Sequence, residues 1–183
     1  MAHLKHCQCS RYGTSETFAL PAALLRPPTT VLQSRMSIPS RSAEAGTYFV
    51  TSGTFNRRRL FQVATNAELF LETLQHYRRA GNYKLHAFVV MPDHIHLLLS
   101  PTGIALERVM ALIKGGFSYQ LGSKLPVWQR GFTDHRVRDS NEFEMRRRYI
   151  HENPVQAKLV ELPGLYPYSS AYRSEERKAY LSG

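Results

Sequence analysis

Cysteine is almost missing from this chain of 183 residues. Only Cys7 and Cys9 occur, both near the start and too close together to staple a fold. A disulfide framework is thereby excluded, and nothing points to an oxidising compartment. Long apolar runs are missing as well. No stretch approaches the roughly 20 residues of a membrane span. The early apolar run from Phe18 to Leu25 is broken by Pro21 and has no small-residue cleavage site behind it, so a secretory signal is not expected. The expectation is a cytoplasmic protein. Acidic residues are the third shortage: 14 Asp+Glu stand against 24 Lys+Arg, a net charge of +10. Residues 1–45 hold five basic and two acidic residues, whereas residues 46–183 hold nineteen and twelve. Most of the excess therefore belongs to the later part. A basic chain with no membrane segment points to a polyanionic partner, with nucleic acid first among them.

With 43% hydrophobic residues there is enough for one real core. Residues 1–45 are rich in Ser, Thr, Pro and Ala, show no sustained period and carry Pro27-Pro28 and Pro39; they read as an irregular leader. Cys7-Gln8-Cys9 with His3 and His6 offers metal-binding side chains, although an incidental tail is the plainer reading. Met36 is a candidate alternative translation start. Order begins at Gly46. Thr47 to Gly53 is a strand by its β-branched and aromatic content. Thr65 to Ala80 has helical spacing at Ala67, Phe70, Leu71, Leu74 and Tyr77. Leu85 to Val90 and His94 to Ser100 are strands joined by the Met91-Pro92-Asp93 turn. Ile104 to Leu121 is a helix weakened by Gly115-Gly116. A short strand around His135 to Arg138 precedes a helix from about Asn141 to Asn153, capped by Asp139 or Ser140. The order β-α-β-β-α-β-α predicts an α+β fold. It is a ferredoxin-like, split βαβ antiparallel sheet with helices on one face and an added C-terminal helix. The resulting division is a leader over 1–45, one domain over 46–173 and a tail over 174–183.

Three elements carry chemistry. The first is His94-Ile95-His96. Residues i and i+2 of a strand share a face, so both imidazoles project side by side with Leu98, while Ile95, Leu97 and Leu99 face the helices. Such a pair can hold one metal ion, and both polar interruptions of an apolar strand are good ligands. A bare His-x-His is a short motif, and two ordinary polar residues on an open sheet face would look the same. His86 on the neighbouring strand fits either face. The second element is Arg146-Arg-Arg-Tyr-Ile-His-Glu-Asn-Pro154. On a helix, Tyr149 and Asn153 share a flank, and the arginines attract phosphate. Tyr149 also fits a packed ring with a wet hydroxyl. Asn153 before Pro154 also fits a helix end followed by a new helix with proline at its first position. The third element is basic residues mixed with aromatics: Arg57, Arg58, Arg59, Arg78, Arg79, Lys114, Trp128, Arg130, Arg136, Arg138, Arg146 and Arg147. Arginine matches phosphate geometry and aromatics stack on unpaired bases. Arg57 to Arg59 directly follow the first strand and form the strongest candidate DNA-contacting loop.

Five motifs in order carry a resemblance. They are Tyr48-Phe-Val-Thr-Ser-Gly-Thr54, Val90-Met-Pro-Asp-His-Ile-His-Leu-Leu-Leu99, Trp128-Gln-Arg-Gly-Phe-Thr-Asp-His135, Tyr149-Ile-His-Glu-Asn-Pro-Val155 and Tyr168-Ser-Ser170. Together they resemble the REP-associated tyrosine transposases, single-strand insertion-sequence transposases of the HUH class, over about residues 46–173. The resemblance implies that His94 and His96 are paired metal ligands and that Asn153 is the third. It implies that Tyr149 is the nucleophile on an added C-terminal catalytic helix. The implied substrate is single-stranded DNA folded into hairpins by palindromic repeats, and the implied cofactor is Mg²⁺ or Mn²⁺. Imidazole ligands favour Mn²⁺, whereas abundance favours Mg²⁺. A free phenol, with a pKa of about 10, needs activation, and the ion and nearby arginines are the candidates. A monomer and a homodimer both remain open. Two other readings compete: a domesticated protein that binds hairpin DNA without cutting it, and a zinc hydrolase. The hydrolase would need a carboxylate or third histidine beside the pair, for which only Asp93 and His86 qualify.

Overall fold

In the computed structural model the described residues are 46–172, all within one compact unit spanning residues 37–183. The leader, Cys7, Cys9, His3, His6, Met36 and the 174–183 tail lie outside the described residues. Seven main elements follow the expected order: β1 (Thr47–Gly53), α1 (Ala64–Arg79), β2 (Tyr83–Met91), β3 (His94–Pro101), α2 (Leu106–Leu121), β4 (Thr133–Val137) and α3 (Ser140–Gln156). The strands form one sheet in the order β2-β3-β1-β4, with every pairing antiparallel. This is the split βαβ arrangement expected of the sequence.

Strand alternation divides the sheet into two faces. Val50, Phe88, Val90, Ile95, Leu97 and Leu99 face α1 and α2, where Phe70, Leu74, Val109, Ile113 and Phe117 close the main core. Ala87, Val89, Met91 and Leu98 face the other way and meet Ile150 of α3 and Tyr166. Strict alternation along β2 could not put Tyr83 and Leu85 on the same face as Phe88 and Val90. A bulge at His86, between Leu85 and Ala87, supplies the extra residue that flips the parity. His86 consequently turns toward Ser100, 2.8 Å away, and the edge of Phe143.

Asp139 caps α3, accepting the Glu142 amide at 2.8 Å, while Glu142 accepts the Arg138 amide at 3.0 Å. The expected end of this helix at Asn153 is a correction. Pro154 is buried inside α3, which continues to Gln156. Its burial offsets the hydrogen bond that proline removes. Asn153 is thus an interior helix residue and caps no following helix. No helix among the described residues is long and apolar enough to cross a membrane.

The two α2 glycines, both read as weak points, differ in kind. A Cβ on Gly115 would meet nothing within 4 Å, whereas one on Gly116 would lie 2.7 Å from the Tyr77 ring of α1. Gly115→Ala is therefore expected to stabilise the protein by about 0.5–1 kcal/mol through helix propensity. Gly116→Ala should destabilise it by about 1 kcal/mol or more, because Tyr77 must move. Denaturant midpoints of the two variants against the parent check the pair.

Candidate active site: a histidine pair facing a helical tyrosine

The register of β1 against β3 builds the site. Thr51 stands opposite His96, and Gly53 opposite His94. Phe49 and Thr51 share the β1 face that looks toward α3. The two imidazoles lie edge to face, 4.8 Å between centroids. Phe49 stacks on His96 at 5.4 Å. Tyr149 of α3 closes the group, its ring 5.4 Å from His96 and 5.8 Å from Phe49. Its side chain is 40% exposed, enough for a substrate to reach the hydroxyl. A depression of about 400 Å³ opens beside it, bordered by Met145, Arg148 and Glu152.

Each imidazole is held by a different neighbour. His94 Nδ1 lies 2.6 Å from Asp93 Oδ1. A carboxylate only accepts, so Nδ1 carries the proton and Nε2 of neutral His94 keeps its lone pair. His96 Nδ1 lies 2.8 Å from Thr51 Oγ1, and His96 Nε2 is buried with no hydrogen-bond partner. Burial, with His94 and Arg57 nearby, pushes the His96 imidazole down to about 3, so it is neutral at physiological pH. Two imidazoles, one with an orphaned buried nitrogen, fit the donor set of a divalent ion. No group of three or more His, Cys, Asp or Glu suited to a metal occurs among the described residues. Asp93 is occupied on the far nitrogen of His94 and His86 is turned to Ser100, so the donor set of a zinc hydrolase is not assembled. Asn153 lies one turn beyond Tyr149 on the same flank, half-buried, its amide without a hydrogen-bond partner among the described residues.

The basic residues part company. Arg57 bonds Asp93 through Nε at 3.0 Å. Arg146 lies 5.1 Å over the Phe49 ring and 3.6 Å from Glu142, which also bonds His135. These two arginines border the histidine–tyrosine group. Arg58 donates to the Pro126 carbonyl, and Arg59 is exposed in the same loop. Lys114 is turned to the Gln129 and Gly131 carbonyls and the Trp128 ring, on the α2 side of the sheet. Arg136 lies beside Gly46, and Arg147 pairs with Glu144 at 2.6 Å. Thr51 and Phe49 were not singled out as site residues by their local sequence, and Asp93 was considered only as a turn residue and a candidate zinc ligand. Parity on β1 and the antiparallel register are the signals that reveal the first two.

The model of the family described as "Transposase IS200 like" matches residues 44–153. The chain belongs to this family. Among curated relatives of this chain, the REP-associated tyrosine transposase of Escherichia coli (strain K12) is 27% identical over 139 residues, covering 75% of this chain and 83% of that protein. A Haemophilus influenzae protein is 29% identical over 128 residues, covering 61% of this chain and 69% of its own. A solved REP-associated tyrosine transposase bound to a REP hairpin superposes with a TM-score of 0.63 at 27% identity. That match covers 73% of this chain and 81% of that one.

The low pKa of His96 sets a pH dependence. Unfolded, the residue takes a proton near 6.5; folded, it resists until about 3. The unfolded state binds more protons in that window, so stability is full above 6.5 and falls as the pH drops toward 3. In chelator, the denaturant midpoint should fall steadily from about pH 7 to 4, and His96→Gln should flatten the slope.

Proposed function

We propose that the protein is a divalent-metal-dependent enzyme that cleaves and rejoins single-stranded DNA beside a hairpin formed by palindromic repeats. Tyr149 is its nucleophile and a 5′-phosphotyrosine its intermediate. The observation that carries this reading is the Tyr149 ring 5.4 Å from His96, whose buried Nε2 has no other partner. The family, and the likeness to a transposase bound to a REP hairpin, support the substrate class.

His94 and His96 would hold Mg²⁺ or Mn²⁺, with the Asn153 amide as the candidate third ligand. When bound, the ion would polarise the scissile phosphate and offset charge on its oxygens. Neutral ligands leave that positive charge undiminished. Tyr149 Oη attacks phosphorus in line, and the Oη–P bond forms as the bond to the 3′ oxygen breaks. The phenolic proton leaves with solvent and the departing oxygen ends as a 3′ hydroxyl. One phosphodiester replaces another, so a second strand end can reverse the step. Arg146 and Arg57, at the border of the group, are suited to hold DNA phosphates. The histidines and Tyr149 meet within one chain, an arrangement in which a single subunit can supply them all.

The test is a covalent adduct on a denaturing gel, from the protein, single-stranded hairpin DNA and Mg²⁺ or Mn²⁺. The adduct is expected from the parent and absent in Tyr149→Phe. His94→Ala and His96→Ala should each lower its rate by about 100-fold or more. Hairpin binding with no adduct under either metal would overturn the cleavage reading in favour of a binding protein. Cleavage that survives Tyr149→Phe would overturn the nucleophile. Affinity for the hairpin should also fall with rising salt, with a log–log slope set by the number of phosphate contacts.

A further inference from the structure

Asp93 stands between two cations' worth of donors. Its Oδ1 accepts the His94 Nδ1 proton at 2.6 Å, and its Oδ2 accepts Arg57 Nε at 3.0 Å. The two ends differ in access: the Arg57 side chain is 60% exposed, His94 only 16%. Asp93 is also fixed through its backbone. The Thr54 amide and hydroxyl both donate to its carbonyl, at 2.9 and 3.0 Å, and the same hydroxyl lies 2.6 Å from the Arg58 carbonyl. Asn56 and Arg57, neither of them glycine, both adopt left-handed backbone, with φ of 52° and 53°. Non-glycine residues hold that conformation where surrounding contacts over-determine it. Gly53, opposite His94, has no side chain, and the Arg57 side chain lies over it, 3.7 Å from where a Cβ would stand. The loop thus delivers one solvent-reaching guanidinium onto the carboxylate that sets His94.

We propose that Asp93 is a positioning residue for His94 and that Arg57 tempers it, so a DNA phosphate that draws Arg57 away strengthens the histidine pair's hold on its divalent ion. This rests on the metal-binding reading of the pair. A carboxylate on the distal imidazole nitrogen fixes the tautomer and raises ligand basicity. A guanidinium on the other oxygen withdraws part of that charge. Arginine binds phosphate in the same forked geometry as carboxylate, so substrate and Asp93 compete for it. Binding of DNA and of metal would then reinforce one another, and by linkage equally in both directions.

The experiment measures Mn²⁺ affinity by the loss of the free-ion paramagnetic resonance signal, in the Tyr149→Phe background so that no strand is cut. Without DNA, Asp93→Asn should weaken Mn²⁺ by about 10-fold or more, while Arg57→Gln should tighten it several-fold. In the Asp93→Asn background, Arg57→Gln should have little effect, which separates action through Asp93 from simple repulsion between Arg57 and the ion. Saturating hairpin DNA should tighten Mn²⁺ less in Arg57→Gln than in the parent. Unchanged melting temperatures in chelator would show that neither variant acts by loosening the fold. Equal Arg57→Gln effects in both backgrounds, or unaltered affinity in Asp93→Asn, would overturn the proposal. A parent protein that binds no Mn²⁺ would overturn the metal reading itself.

Discussion

The pairing of β1 with β3 is the constraint on which the rest depends. It sets Thr51 beside His96 and Gly53 beside His94. It also sends Ile95, Leu97 and Leu99 into the main core, where each is fully buried. A slip of one residue would reverse every side chain on the strand. Three large apolar groups would then face α3 and two imidazoles would enter an aliphatic core. The hydrophobic cost of that error, on the order of 2 kcal/mol for each aliphatic side chain misplaced, holds the histidine pair in place. Site and core are opposite sides of one register.

The same economy runs through the supporting residues. Phe49 stacks on His96, meets Tyr149 edge-on and lies beneath Arg146. Glu142 serves the first turn of α3, bonds His135 and neighbours Arg146. β4 and α3 are thereby tied to each other at the place where an arginine borders the site. Tyr166 completes the outer face, donating to the Val90 carbonyl at 2.9 Å, and burial pushes its hydroxyl up to about 12.

Much of the fold was legible because β3 and the helices carry strong periods. Ile95, Leu97 and Leu99 alternate cleanly, and α1 repeats apolar residues at helical spacing. The order of elements then leaves few topologies for four antiparallel strands. Two features were hidden for physical reasons. The β2 bulge at His86 breaks a period that a reader expects to continue. A proline usually marks a helix boundary, yet here the burial of Pro154 within α3 outweighs the lost hydrogen bond. In the site, the histidine pair and Tyr149 were visible as residue types at suggestive spacing. The partner of His96 was not, since Thr51 reaches it across 45 residues of sequence. Nor do spacings reveal that Lys114 is turned to backbone carbonyls on the opposite layer.

The two layers under this sheet carry unequal burdens. The α1 and α2 layer holds nearly all the large buried side chains, whereas α3 buries only Ile150 and Pro154 along its length. Most of the stability therefore resides on the side away from the histidines. A helix with so few buried side chains leaves its exposed positions free to change sequence without approaching the stability threshold. Residues around Tyr149 can thus vary with the DNA they meet, while the sheet beneath continues to hold the histidines still.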